Sequence, residues 1–405
     1  MKNNRAFVVV VICIGLFSFA WFVENRFRLV SQSLDPGQVV TPGGNPNPSN
    51  TIPSTLDSTP EAVAYQVEVV ASDLYVPWSL VFTSPNRLLV SERSGAIRVI
   101  ENGELAKDAL ITFANVSSKS EEGLMGLAKD PDYETNRYVY ACHAYQASGG
   151  LQDRVVRLID EGSSIREDQI ILDGIPAAAF HAGCALAFGP DNKLYITTGD
   201  ATDKTIAQDV GNLGGKILRI ERDGSVPADN PFANSPVWSY GHRNPQGIAW
   251  HPQTKVMYAT EHGPSGFDGA GGGDEINLIE PGNNYGWPKV SHDKNESGLV
   301  APLTTFTPAE APASAAFYVG AVFPQFTNTL FFGALRGEGI VAITLSATDP
   351  ARVEKIEKLS ISVGRARSVI AGPDGFLYFT SSNRDGRGTI TAGDDKVYRL
   401  VPATP

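Results

Sequence analysis

Residues Cys184 to Asp200 read CALAFGPDNKLYITTGD: small and apolar positions alternate, a Gly-Pro-Asp-Asn turn breaks them, and an aromatic, β-branched run follows. Alternation of period two on both sides of a turn is the pattern of a hairpin with one face in a core. The phrase recurs. It returns as SLVFTSPNRLLVSER around Pro85, GLMGLAKDPDYETNRYVYACHAY around Pro131 and GIAWHPQTKVMYATEHG around Pro252. Two more copies, AAFYVGAVFPQFTNTLFFGAL around Pro324 and SVIAGPDGFLYFTSS around Pro373, complete the series. Six copies, with turn prolines 46 to 72 residues apart, predict an all-β, six-bladed β-propeller rather than a pair of β-sandwiches. The segments 65–74 (YQVEVVASDL) and 396–401 (KVYRLV) flank the copies, and their pairing in one blade would close the ring and remove an open edge.

The wider composition agrees with a turn-rich β body. The chain of 405 residues holds 40 Gly and 27 Pro and is 42% hydrophobic, enough for a large core. Forty-four acidic against 33 basic residues give a net charge of -11, which argues against nucleic acid as the main partner. Cys13, Cys142 and Cys184 are too few for a disulfide framework and lack the close spacing of a zinc knuckle or redox pair. Whether Cys142 and Cys184 pair is open at this level. Lys2 and Arg5 precede the apolar run Ala6 to Val23, so residues 1–30 are expected to form an N-terminal hydrophobic helix that anchors the chain in a membrane. A signal peptide cleaved near Ala20 is the alternative. Residues 31–60, rich in Pro, Ser and Thr, are expected to be a disordered linker, with the propeller domain spanning 61–405. The body is expected outside the cytoplasm, in the periplasm or at the cell surface.

Propeller sites lie where loops enter the innermost strands, so the polar residues just before each copy are the ones to weigh. His181, in FHAGCALAFGPD, could serve as a base near neutral pH or be a structural histidine bonded to backbone. Arg243 and Asn244, in GHRNPQG, could hold a carboxylate or oxyanion, or form a structural ion pair. The glycine-dense stretch EHGPSGFDGAGGGDEINLIEPGNNYGWP carries Gly263, Pro264, Asp274, Glu275 and Tyr285. Backbone carbonyls beside carboxylates form the all-oxygen set that calcium accepts, though a solvated acidic loop would have the same composition. Arg365 and Arg367, two apart before the last copy, point to one side of a strand and suit a polyanion.

These motifs together resemble the soluble pyrroloquinoline quinone (PQQ)-dependent sugar dehydrogenases, the glucose/sorbosone dehydrogenase group, and are most similar to its aldose sugar dehydrogenase branch. The similarity runs from about Val67 to Val401 through VPWSLVF, EGLMGLAKDPDY, HAGCALAFGPDNKLYITTGD, LGGKILRI, GHRNPQG, EHGP with GGGDEINLIEPGNNYGWP, and RARSVIAGPDGFLY. What the resemblance implies is an oxidoreductase with the same six-bladed fold, which oxidises an aldose at the anomeric carbon to a lactone and passes the electrons to an external acceptor. It implies His181 as the base that takes the hydroxyl proton and Arg243, with Asn244, as cofactor contacts, the arginine also stabilising the reduced quinone. It further implies calcium on the carbonyls of Gly263 and Pro264, a second calcium near Glu275 and Tyr285, and Arg365 and Arg367 on the cofactor's carboxylates.

The chain also departs from the family's pattern. Ala185 replaces the usual Arg four residues after the histidine, and Cys184 a Gly or Ser. Glu121 stands for a cofactor-contacting Gln and Arg336 for a cofactor Lys. Phe180 and Ala201 replace two sugar-binding residues of the glucose dehydrogenase branch, so tight glucose selectivity is not expected. Two rival functions fit the same fold: a non-catalytic ligand-binding propeller, and a calcium-dependent lactone hydrolase.

Overall fold

The computed structural model describes residues 62–403, and within them six sheets stand in a ring. The membrane-anchor and linker expectations for residues 1–60 lie outside the described residues. Numbered along the chain, the blades begin with innermost strands Pro77–Ser84, Leu124–Lys129, Gly183–Phe188, Pro245–Trp250, Pro312–Phe317 and Ala366–Ala371. Each of these opens one copy of the sequence phrase. Successive innermost strands pack against one another, and the sixth packs against the first, so the ring is closed. Closure within the sixth blade uses both chain ends: Tyr65–Ala71 pairs antiparallel with Val397–Pro402, Val67 opposite Leu400 and Val69 opposite Tyr398.

In two of the six copies the turn is built in the same way. In the third blade the Asp191 carboxylate accepts the Lys193 N–H at 3.1 Å and the Tyr195 hydroxyl at 3.0 Å. In the sixth, Asp374 accepts the Phe376 N–H at 3.1 Å and the Tyr378 hydroxyl at 2.7 Å. A side chain that takes the turn's free amide and clamps the next strand's tyrosine fixes the hairpin register. The apolar residues on either side then fall on the sheet faces, and one buried cluster fills each of the six gaps between neighbouring blades.

In the gap between the second and third blades Cys142 and Cys184 form a disulfide with Cα atoms 5.8 Å apart. The pairing left open by the sequence is thus made, and it staples the inner strand that follows His181 to the neighbouring blade.

Candidate active site

His181 sits directly before the third inner strand with φ at +59°, in the left-handed region that non-glycine residues rarely occupy. Gly199 makes that bend feasible, because a Cβ there would run into the His181 carbonyl. The imidazole is buried, and its Nδ1 lies 2.7 Å from Asp200 Oδ1. Asp200 is itself pinned: Oδ2 accepts the Trp287 indole N–H at 2.8 Å and Oδ1 the Thr202 N–H at 2.9 Å. A carboxylate at Nδ1 places the proton on that nitrogen and leaves Nε2 as the basic atom. The His181 backbone N–H donates to Glu121 Oε2 at 3.3 Å, and Glu121 Oε1 pairs with Arg387 at 2.8 Å. Glu121 therefore lies beside His181, with Phe180 next to it and Arg387 over the Phe180 ring.

Arg243 and Asn244 enter from the fourth blade. The Arg243 side chain is buried, donating from Nε to Asp268 at 2.7 Å and from its two terminal nitrogens to the His262 carbonyl and the Ser265 hydroxyl. Asn244 accepts the Gly183 N–H at 3.1 Å, which ties the fourth blade to the strand after His181. Its amide nitrogen is buried with no partner. His262 Nε2 is likewise shielded and unpartnered, and burial, reinforced by Arg243 and Arg367, holds its pKa well below the ordinary range. It is a neutral ring among cations.

Across the channel, Arg365 donates to Asp385 at 2.7 and 2.9 Å. Among the described residues Arg367 has no carboxylate hydrogen-bond partner; it meets Gln246 at 3.2 Å and Ser382 at 3.4 Å. Burial, with the like charges of Arg93 and Arg365, presses its pKa down to about 10, still far enough above neutrality to keep the charge. Arg93 is buried too, and among the described residues no carboxylate pairs with it. Arg336 stands exposed on its turn, outside this cluster of buried guanidiniums.

At the expected calcium positions, the Gly263 N–H donates to Asp274 at 2.8 Å and the Pro264 carbonyl accepts the Gly272 N–H at 3.2 Å. Gly263 is required there, since a Cβ would strike the Gly272 and Gly273 carbonyls. The Glu275 carboxyl is pushed up by burial and then by the neighbouring Glu261 charge. The Tyr285 hydroxyl donates to the Leu278 carbonyl at 2.7 Å and accepts the Glu280 N–H at 2.8 Å, while its ring stacks on His242. Among the described residues no three His, Cys, Asp or Glu side chains converge as a metal site. The carbonyl site expected at Gly263 and Pro264 is of a different kind, with Asp274 as its nearby acid.

Asp200, Trp287, Asp268, Asp385 and Arg93 were not singled out from sequence. The missed signal is positional. Arg93, Asp200, His262 and Asn383 each follow the second strand of their copy, the other end of the hairpin that opens on the channel mouth.

The described residues thus form a six-bladed propeller whose channel mouth carries a carboxylate-oriented imidazole and a group of buried arginines. The family model for glucose/sorbosone dehydrogenases matches residues 74–392, and the chain belongs to that family of oxidoreductases. It is similar to the PQQ-bound aldose sugar dehydrogenase of Streptomyces coelicolor, at 34% identity and a TM-score of 0.74 over 84% of this chain and 98% of that one. Among sequences, the aldose sugar dehydrogenase YliI of Escherichia coli is 30% identical over 82% of this chain and 94% of its own. The quinoprotein glucose dehydrogenase B of Acinetobacter calcoaceticus is 26% identical over 82% and 88%.

Proposed function

We propose that the protein is a PQQ-dependent aldose dehydrogenase that oxidises the anomeric carbon to a lactone. The observation that carries this reading is Arg367, a buried guanidinium with only neutral partners, set beside Arg93 and Arg365 and opposite the unpartnered Asn244 amide. Unpaired buried cations and donors favour an anionic, acceptor-rich guest, and three carboxylates and a quinone meet that description. When bound, PQQ supplies the acceptor for the hydride that leaves the anomeric carbon.

The remaining work falls to side chains. His181 Nε2 takes the anomeric hydroxyl proton, and Asp200 holds the ring and offsets the positive charge it gains. Trp287 and Thr202 keep Asp200 from turning away. Arg243 and Asn244 present donors to oxygen atoms that gain charge in the reaction. Calcium on the Gly263 and Pro264 carbonyls, with Asp274 near, would add a further positive centre to the same wall. Phe180, beside His181, and Ala201 stand where the glucose dehydrogenase branch has sugar-binding residues, so tight glucose selectivity is not expected. The buried Cys142–Cys184 bond supports placement of the body in an oxidising, extracytoplasmic compartment, reached through an N-terminal anchor.

The test is reconstitution of the purified protein with PQQ and calcium, followed by dye-linked oxidation of a panel of aldoses. Dye reduction that depends on PQQ, calcium and sugar is the expected result. Failure to retain PQQ at micromolar concentration overturns it in favour of the ligand-binding propeller.

A further inference from the structure

Between Pro264 and Gly273 the chain turns back over the channel mouth and touches both residues given the central roles above. Phe267 remains 67% exposed, yet its ring stacks on the His181 imidazole, centroids 5.7 Å apart and planes 23° from parallel. The next residue, Asp268, accepts from Arg243 Nε at 2.7 Å, and Arg243 also donates to Ser265 at 3.1 Å. Asp268 further accepts the Ser265 N–H at 3.0 Å, which holds the carboxylate toward the arginine. Burial works against the Asp268 charge, but the Arg243 hydrogen bond and charge together with the Ser265 N–H outweigh it and hold the carboxyl below its usual range.

Little else fastens this segment. A Cβ at Gly266 or Gly271 would meet no atom within 4 Å, so the loop is unpacked on its outer side. An aromatic ring that stays two-thirds in water gains little from its seat and loses little on leaving it. The ion pair to Arg243 is the strong contact, and any incoming carboxylate can replace it bond for bond. The loop thus offers the mouth one flat aromatic ring and one carboxylate, the two kinds of group that PQQ carries.

We infer that residues 265–269 are an internal occupant of the channel mouth, seated on His181 and Arg243 until a planar, carboxylate-bearing ligand displaces them. The identity of that ligand as PQQ rests on the function proposed above. Seating by the loop lowers the apparent affinity for the ligand by the fraction of molecules in which the mouth is free.

The experiment uses the full chain as wild type, Phe267→Ala and Asp268→Asn, in two arms. In the first, each protein is titrated with PQQ in the presence of calcium by calorimetry. If the seated loop holds about nine-tenths of the molecules or more, both variants bind roughly tenfold tighter than wild type or better. Equal or weaker binding by the variants overturns the inference, weaker binding because it makes the loop part of the ligand's own seat. The second arm needs no cofactor: the rate at which diethyl pyrocarbonate modifies His181, read by mass spectrometry. Phe267→Ala is expected to raise that rate several-fold, and an unchanged rate overturns the inference. If none of the proteins binds PQQ while His181 is unmasked in Phe267→Ala, the cofactor reading falls and the loop stands as the occupant of the mouth.

Discussion

The two halves of the channel mouth treat charge in opposite ways. On the side of the third and fourth blades, His181 faces Asp200, His242 faces Glu261 at 2.8 Å and Arg243 faces Asp268. Each of these three has a carboxylate counterpart from the chain. On the side of the sixth and first blades, Arg93, Arg365 and Arg367 stand together with Asp385 as the carboxylate that pairs among them. A buried charge without a counter-ion is costly, so a fold keeps one where a ligand completes it. On the function proposed above, the matched half holds geometry for proton transfer and the unmatched half a binding seat.

The largest effect is expected in the matched half. His181→Ala removes the proposed base and is expected to cut aldose turnover by about 100-fold or more, while PQQ still binds. Asp200→Asn is expected to follow the same pattern with a smaller loss. Variants that lose PQQ instead of turnover would erase the division between the halves. The next effect belongs to the unmatched half: replacing Arg365 and Arg367 with Ala is expected to weaken PQQ binding by about 3 kcal/mol, roughly 150-fold, by titration. Arg367→Met alone is expected to leave the cofactor-free protein at least as stable as wild type, because it removes a buried, unpaired charge. A clear drop in its melting temperature would show that Arg367 has a structural partner after all.

How much of this was legible in the sequence follows from which interactions are local. The hairpin phrase and its Asp-to-Tyr clamp lie within a few residues, so blade number and closure could be read from the chain. His181, Arg243, Arg365 and Arg367 were visible because each stands next to a recognisable strand start. Their partners were not. Asp200 is 19 residues from His181, Asp268 is 25 from Arg243 and Asp385 is 20 from Arg365, and ring closure rather than spacing brings Arg367 to Gln246, 121 residues away. The disulfide was undecided for the same reason: Cys142 and Cys184 are 42 residues apart, on different blades. Tyr285 closes the same motif as Glu275, and its hydroxyl is bonded within its own turn, to the Leu278 carbonyl and the Glu280 N–H.

That disulfide gives a third, smaller test of the comparison. It joins the second blade to the strand just after His181, so it belongs to the half that holds geometry. Replacing both cysteines with serine is expected to lower unfolding stability by about 2–4 kcal/mol, measured by urea denaturation. Turnover is expected to fall more than PQQ affinity, because the loosened strand carries the base and not the arginines. Equal losses in both would show that the halves move as one unit.

The smallest effect concerns an unmatched charge of the opposite sign. Asp153 is fully buried, neither of its carboxyl oxygens has a hydrogen-bond partner, and Glu122 is its charged neighbour. Burial, then the Glu122 charge, raises its pKa well above the ordinary carboxylate range. A carboxyl can escape that conflict by keeping its proton, whereas a guanidinium cannot shed one near neutrality and must find an anion. The sign of the pH effect follows. The folded-state pKa lies above the unfolded one, so the neutral acid's contribution is whole below the unfolded pKa and is lost as pH rises through the folded value. Wild type is therefore expected to lose stability relative to Asp153→Asn as pH rises above the ordinary carboxylate range, by up to about 1.4 kcal/mol for each pH unit over which the folded protein alone keeps the proton. Parallel stability curves for the two proteins would mean that Asp153 is ionised in the folded protein as in the unfolded one. The absence of a counter-ion would then be a poor guide to where this fold expects a ligand, and the case for the arginine seat would rest on PQQ titration alone.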